Sequence, residues 1–159
     1  MRDGYTTSAT VTRTADTSIY AASDVIGAAT GASAALVFSY AGPRERDVLI
    51  TTATLEIDAA AIISGETSYI LHLYNVTPPS ALGDNASFDL PSGDRASYIG
   101  SINLGTPADL GSTLYIQTSD IWTQIHLESS SLFGYLVTVG GYTPTSARVY
   151  KVTLGTAVL

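Results

Sequence analysis

The sequence predicts an all-β fold, a single antiparallel β-sandwich with little helix. Three observations carry that prediction. Apolar residues recur mostly with period two, as they do on a strand with one face buried. The enriched types are Thr, Val, Ile, Tyr and Leu, which fit a pleated, half-buried surface. About nine such segments follow one another, separated by Gly, Pro, Asn and Asp turn chemistry, the spacing of a sandwich or barrel.

The elements follow in chain order. Residues 1–10 are polar. "TTSATVT" has strand propensity but little apolar weight, so this segment reads as an N-terminal arm, mobile alone and ordered on a partner, with the domain proper at 11–159. Strand character begins in "SATVTRT" (8–14). "AASDVIGAATGASAAL" (21–36) is alanine-rich, but Gly27 and Gly31 would each cost a helix about 1 kcal/mol relative to alanine. It reads as a short strand plus a loop, leading into "AALVFSY" (34–40). In "VLITTATLEID" (48–58), Leu49, Thr51, Ala53, Leu55 and Ile57 alternate with Ile50, Thr52, Thr54, Glu56 and Asp58, and the first set is expected to face the core. The Ser64-Gly65 turn then suggests a hairpin with "SYILHLYNV" (68–76). The remaining strands are expected at 98–104, 112–118, 123–128, 132–139 and 147–154.

Between 76 and 98 lies "TPPSALGDNASFDLPSGDRAS", long for a connection inside a compact domain. Leu82, Phe88, Leu90 and Tyr98 give it apolar anchors, and its prolines restrict the unfolded chain. An ordered flap across an end or face of the sandwich is expected.

Composition bounds the function. The chain has 159 residues and no cysteine, so neither a disulfide nor a thiolate zinc site exists. No apolar run reaches the roughly 18 residues of a membrane helix, and "MRDGYTTSATVTRT" lacks the apolar stretch of a signal peptide, so an intracellular origin is expected. Net charge is −7, with one lysine, and the close pair Arg44 and Arg46 is flanked by Glu45 and Asp47. That balance disfavours nucleic acid, which needs clustered cations. Charged residues make up 13%, about half the usual share, and Thr, Ser, Ala and Gly replace them. Short side chains lose little rotamer entropy on burial, which suits extensive protein contact.

Catalytic chemistry finds no converging set. His72 and His126 sit inside expected strands, in phase with the alternation, without a nucleophile elbow, and a surface ladder position accounts for both. Glu56 and Asp58 share one strand face about 7 Å apart, a spacing that suits an inverting glycosidase pair and equally a solvated strand. Asp84, Asn85, Asp89 and Asp94 offer hard oxygen ligands for calcium but miss the EF-hand spacing, and "GDN" and "SGD" read as turns. Most of the ten tyrosines fall in strands; Trp122 and Tyr142 fall in turns and are the candidates for exposed contacts. The expectation is no enzyme, with no catalytic, cofactor-binding or metal residue and no small-molecule substrate.

Three segments, "IYAASDVIGAA" (19–29), "LHLYNVTPPSALGDNASFDLPSGDRASYIGSINLG" (71–105) and "LFGYLVTVGGYTPTSARVYKVTL" (132–154), together resemble short virion structural proteins of tailed bacteriophages. The resemblance implies a jelly-roll-like sandwich built into a phage particle. Of the roles it implies, capsid decoration (cement) fits best: the protein would be made in the host cytoplasm, placed on the outer capsid surface, and bound as a homotrimer to the major capsid protein. No membrane partner and no cofactor come with it. A tail or head-fibre component, or a carbohydrate- or receptor-binding module, is the alternative, and it would display an exposed aromatic patch.

Overall fold

A computed structural model describes residues 3–159. Nine strands follow in order: β1 (Gly4–Thr12), β2 (Leu36–Phe38), β3 (Arg46–Asp58), β4 (Tyr69–Tyr74), β5 (Tyr98–Gly105), β6 (Ala108–Asp109), β7 (Thr113–Leu127), β8 (Leu132–Thr138) and β9 (Val149–Val158). A five-stranded sheet has the order β1-β9-β3-β7-β6, and a four-stranded sheet has the order β2-β8-β4-β5. Every pairing is antiparallel. The orders 1-9-3-7 and 2-8-4-5 are those of an eight-stranded jelly roll, to which β6 adds a short hairpin arm. The all-β sandwich expected from the periodicity is the fold observed.

The two sheets close on one apolar layer. Val48, Ile50, Ala53, Leu55 and Ile57 of β3 meet Tyr69, Leu71 and Leu73 of β4, with Leu114, Ile116, Leu132, Leu136, Val152 and Leu154 around them. Fully burying a Leu or Ile stabilises by about 1.5–3 kcal/mol, so β3, with five buried apolar residues, is the principal strand of its sheet.

Three expectations are corrected. First, residues 4–12 are not a free arm. They form β1 and pair residue for residue with β9, from Gly4↔Ala157 to Thr12↔Val149. Backbone hydrogen bonding recruits the segment despite its low apolar content, and Val11, Thr7 and Ala9 turn inward. The first two residues of the expected arm lie outside the described chain.

Second, β3 and β4 do not form a hairpin. β3 pairs β7 and β9, while β4 pairs β5 and β8. Each has one fully buried apolar set, and the two sets are satisfied by facing each other across the core; side-by-side pairing would leave both facing one way. Third, the phase of β3 is not uniform. Its register shifts between Ile50 and Thr52, so Val48 and Ile50 point inward before the shift and Ala53, Leu55 and Ile57 after it. Leu49 and Thr51 are half-buried on the other side. A β-bulge inverts the face assignment within one strand, which a period-two reading cannot anticipate.

Candidate functional site

The two outer faces of the sandwich are built from different residues. The four-stranded sheet turns Tyr74, Tyr135 and Val137 outward, and all three are buried. Two loops cover them: 19–35, which brings Val25 and Ala34, and 77–97, which brings Leu82, Phe88 and Leu90, each partly buried. The long connection is thus a flap across this face. Tyr135 Oη donates to Ser80 O (2.9 Å) and accepts from Leu82 N (3.2 Å), and its ring meets Tyr74 (5.9 Å) and Phe88 (6.5 Å) edge-on.

Polar residues pin the flap. Asp84 is buried; its Oδ1 accepts from Tyr20 Oη (2.5 Å) and Gly27 N (2.9 Å), and its Oδ2 lies 3.7 Å from the buried Arg13 guanidinium. Asn85 takes a left-handed φ of 62° and donates to Ile19 O (2.6 Å). Asp94 is also buried and accepts from Ser80 N and Ser80 Oγ (3.1 and 3.0 Å). Asp89 is exposed. The four oxygen-bearing residues therefore serve three separate places, with Asp84 Oδ1 and both Asp94 oxygens taken by protein donors and Asp84 Oδ2 buried beside Arg13 without a hydrogen bond.

A second buried polar group lies alongside. Arg13 N donates to Arg148 O (2.9 Å), so the two arginines extend the β1–β9 ladder. Arg148 pairs with the buried Glu66 (3.0 Å) and lies over the Tyr142 and Tyr150 rings. Tyr69 Oη donates to Glu66, and Tyr142 Oη is bonded to Tyr150 Oη (2.8 Å) and Tyr69 Oη (3.1 Å). Burial pushes the Tyr142 phenol up to about 12 and those of Tyr20, Tyr69 and Tyr150 upward as well, so these hydroxyls stay neutral. Tyr142 is not the exposed contact expected of it: the chain folds back in a bridge with Tyr20 and buries the ring against that residue, 5.5 Å away. Arg13, Glu66 and Arg148 carry no sequence signal of burial, because a charged residue in an alternating segment reads as solvated.

The histidines have opposite settings. His72 is no surface ladder residue; it stacks on Phe88 at 3.7 Å under the flap, bonds Tyr98 Oη through Nδ1 (3.0 Å), and is pushed down to about 4 by burial. His126 is exposed, and its bond to Asp47 (2.8 Å) raises its pKa. Glu56 and Asp58 line a shallow cleft with Thr113, Val149 and Lys151, where Lys151 neutralises Glu56 at 3.4 Å.

Among the described residues, the outer face of the five-stranded sheet carries no loop cover of this kind. The register places its outward residues in three rows across β1, β9, β3 and β7. These are Thr6–Gly155–Thr52–Ser119, Ser8–Thr153–Thr54–Gln117, and Thr10–Lys151–Glu56–Tyr115. Four strands at roughly 4.8 Å spacing make each row about 14 Å wide. Ten of these twelve positions are uncharged, and the two charges form the Lys151–Glu56 pair. Threonine is stiff at χ1, so the hydroxyls are held in place before any partner arrives. At the rim of the face, Asp120, Ile121 and Trp122 bulge out of β7 opposite the register shift in β3. Asp120 and Trp122 take left-handed φ values of 59° and 52°, and Trp122 is 64% exposed. A bulky residue at positive φ is an outlier that the surrounding ladder must enforce.

No family model matches the chain, and a search of curated proteins finds no similar sequence. Solved structures with a similar fold include a chain of the capsid of Ralstonia phage GP4 (12% identity, TM-score 0.42, covering 99% of this chain and 84% of that one). A chain of the cyanophage Pam1 capsid asymmetric unit gives 13%, 0.40, 99% and 86%. A carbohydrate-binding module of the Ruminococcus flavefaciens Cel9A glycoside hydrolase gives 13%, 0.38, 96% and 98%. Within the chain itself, segments 19–29, 71–105 and 132–154 come together. Isolated bridges join Tyr20 to Tyr142, Asp24 to Ser87 and Val25 to Val137, one member of each pair from 19–29 and the other from 71–105 or 132–154. The segments thus meet at the closed face and its flap, and 149–154 continues into β9 of the other sheet.

Proposed function

We propose that the chain is a virion structural protein without catalytic activity, a capsid decoration protein that lays the outer face of its five-stranded sheet on the major capsid shell. The observation that carries this reading is the contrast between the faces. One is closed by the chain's own loops; the other presents three central rows of mainly hydroxyl side chains whose two charges, Lys151 and Glu56, neutralise each other, with Asp58 and the Asp47–His126 pair toward its ends. Such a face costs little to desolvate and little entropy to order. Repetition over a symmetric shell multiplies its modest contacts into firm attachment. The phage-like segments and the acidic, cysteine-free composition support the same reading. The homotrimer implied by the resemblance belongs to it, with three copies around a local three-fold position.

Mixing the purified protein with undecorated expanded capsids and counting bound copies tests the proposal. Stoichiometric binding across the shell, with greater resistance to heat, is the expected result. Binding confined to one vertex or to the tail would overturn it in favour of a tail or fibre component. The carbohydrate-binding alternative has one observation behind it, the bulge that holds Trp122 exposed. Because Trp122 is the chain's sole tryptophan, its fluorescence titrated with glycans reads that alternative directly.

A further inference from the structure

The edges of the two sheets are treated unequally. A bare strand edge offers unpaired N–H and C=O groups to any passing strand, and proteins guard it by shortness, bulges, charge or kinks. β2 has three residues and β6 two. β5 is interrupted by register shifts opposite Tyr69/Ile70 and Leu73/Tyr74 and contains Gly100 at φ 140°. β7, beyond its short pairing with β6, carries the Asp120–Trp122 bulge. β1 has none of these guards. It runs nine residues without a register shift, and Gly4–Thr12 contains neither charge nor proline.

We infer that β1 is a strand-pairing edge whose partner is β1 of a second copy, the two running antiparallel about a two-fold axis through Ser8. This register alone pairs all nine residues, since Gly4 then faces Thr12 and Ser8 faces itself. On the outer side Thr6 faces Thr10, and on the inner side Tyr5 faces Val11 and Thr7 faces Ala9. Hydroxyl pairs and an aromatic–β-branched pair are among the favourable cross-strand combinations, and no like charges meet. A groove of about 560 Å³ runs beside the same edge, lined by Ala9 and Val11 of β1 and by Ala28, Ala34, Ala35 and Val37 near β2. In this register the half-buried Tyr5 of the second copy lies opposite Val11, at that groove, whose small residues leave room for a ring. The axis stands perpendicular to the sheet, so the hydroxyl faces of both copies look the same way and form one surface of double width. The inference rests on the strand edges alone and stands whether or not the shell is the partner of that surface.

The absence of native cysteine makes the register testable. Opposed residues place their Cβ atoms about 4.5–5.5 Å apart, so Ser8→Cys should cross-link to a covalent dimer under mild oxidation, about tenfold above Gln117→Cys at the opposite end of the same row. Thr6→Cys mixed with Thr10→Cys should give the hetero-pair in preference to either homo-pair. Sedimentation of the unmodified protein should give a species of at least twice the 16.6 kDa chain, and Thr10→Lys, which guards the edge, should remove the two-fold contact, halving that species and making the melting temperature less dependent on protein concentration. A monomer at all concentrations, with Ser8→Cys no more reactive than Gln117→Cys, overturns the inference. If β1 amides are then protected from exchange only on shells, the edge belongs to a strand of the shell. A three-fold species without the Ser8 cross-link likewise refutes the two-fold contact while leaving shell binding intact.

Discussion

The two outer faces of this sandwich differ by what sits opposite each outward side chain. On the four-stranded sheet Tyr74, Tyr135 and Val137 meet the chain's own Val25, Ala34 and Leu82. On the five-stranded sheet Thr54, Thr153 and Gln117 meet solvent or a partner. The first arrangement converts sequence into stability; the second leaves a surface whose residues contribute little to folding. Substitutions on the two faces should therefore separate cleanly, those on the closed face moving stability and those on the open face moving attachment.

The largest effect is expected under the flap. Asp84→Ala removes the acceptor of Tyr20 and Gly27 and leaves the fully buried Arg13 without its buried counter-charge. Breaking a buried pair costs about 3–5 kcal/mol when the charge left behind has no other partner; Asp16, 2.9 Å from Arg13, keeps the loss near the lower figure, still a large part of the 5–15 kcal/mol of a typical domain. Thermal melting should drop by roughly 10 °C at 2–4 °C per kcal/mol. Asp89→Ala, five residues along the same flap and exposed, should stay within about 0.5 kcal/mol of the parent. Equal melting of the two variants would mean that the flap is not held by Asp84.

The histidines sharpen the same comparison through pH. His72, under the flap, has its folded pKa near 4 against an ordinary 6.5. Between those values the unfolded chain binds more protons than the native one, so the neutral ring's contribution is complete above pH 6.5. It is lost as pH falls toward 4. His126, on the open side, has a raised pKa from its bond to Asp47. Its contribution is complete below pH 6.5 and is lost as pH rises through the raised value. His72→Phe should flatten the fall in melting temperature between pH 6.5 and 4, and His126→Gln should not. An unchanged slope in His72→Phe would show that the flap does not desolvate the ring.

Much of this was legible beforehand. Alternation located eight of the nine strands and the apolar anchors of the flap, because period two and turn chemistry are local properties. Residues 112–118 and 123–128 read as two strands, whereas β7 is one strand with a bulge; a bulge has the look of a turn when only one of the two strands is read. β6, with two residues, is too short to carry a period. Sheet membership was out of reach: the β3–β4 segment reads as a hairpin because Ser64-Gly65 is a turn signal, while the crossing between sheets is decided by burial on both sides. The open face was half visible. The Thr and Ser content was plain, but only register aligns Ser8, Thr153, Thr54 and Gln117 into one row.

The smallest effect on folding is expected on that row. Thr54 and Thr153 face each other on β3 and β9. The double change Thr54→Val, Thr153→Val keeps shape and β-branching while removing two hydroxyls. Valine fits a strand as well as threonine does, so stability should stay within about 0.5 kcal/mol of the parent. If the hydroxyls bond to the shell, each loss removes about 0.5–1.5 kcal/mol per subunit. Two of them, about 1–3 kcal/mol together, weaken attachment by roughly 5- to 150-fold, since 1.4 kcal/mol is a factor of ten. Titration of capsids with the double variant reads the second number, and a denaturant melt reads the first. A melt shifted by more than about 1 kcal/mol would mean that the hydroxyls support the sheet itself. Undiminished attachment with an unchanged melt would move the contact off this face, and the exposed Trp122 at its rim would be the next residue to change.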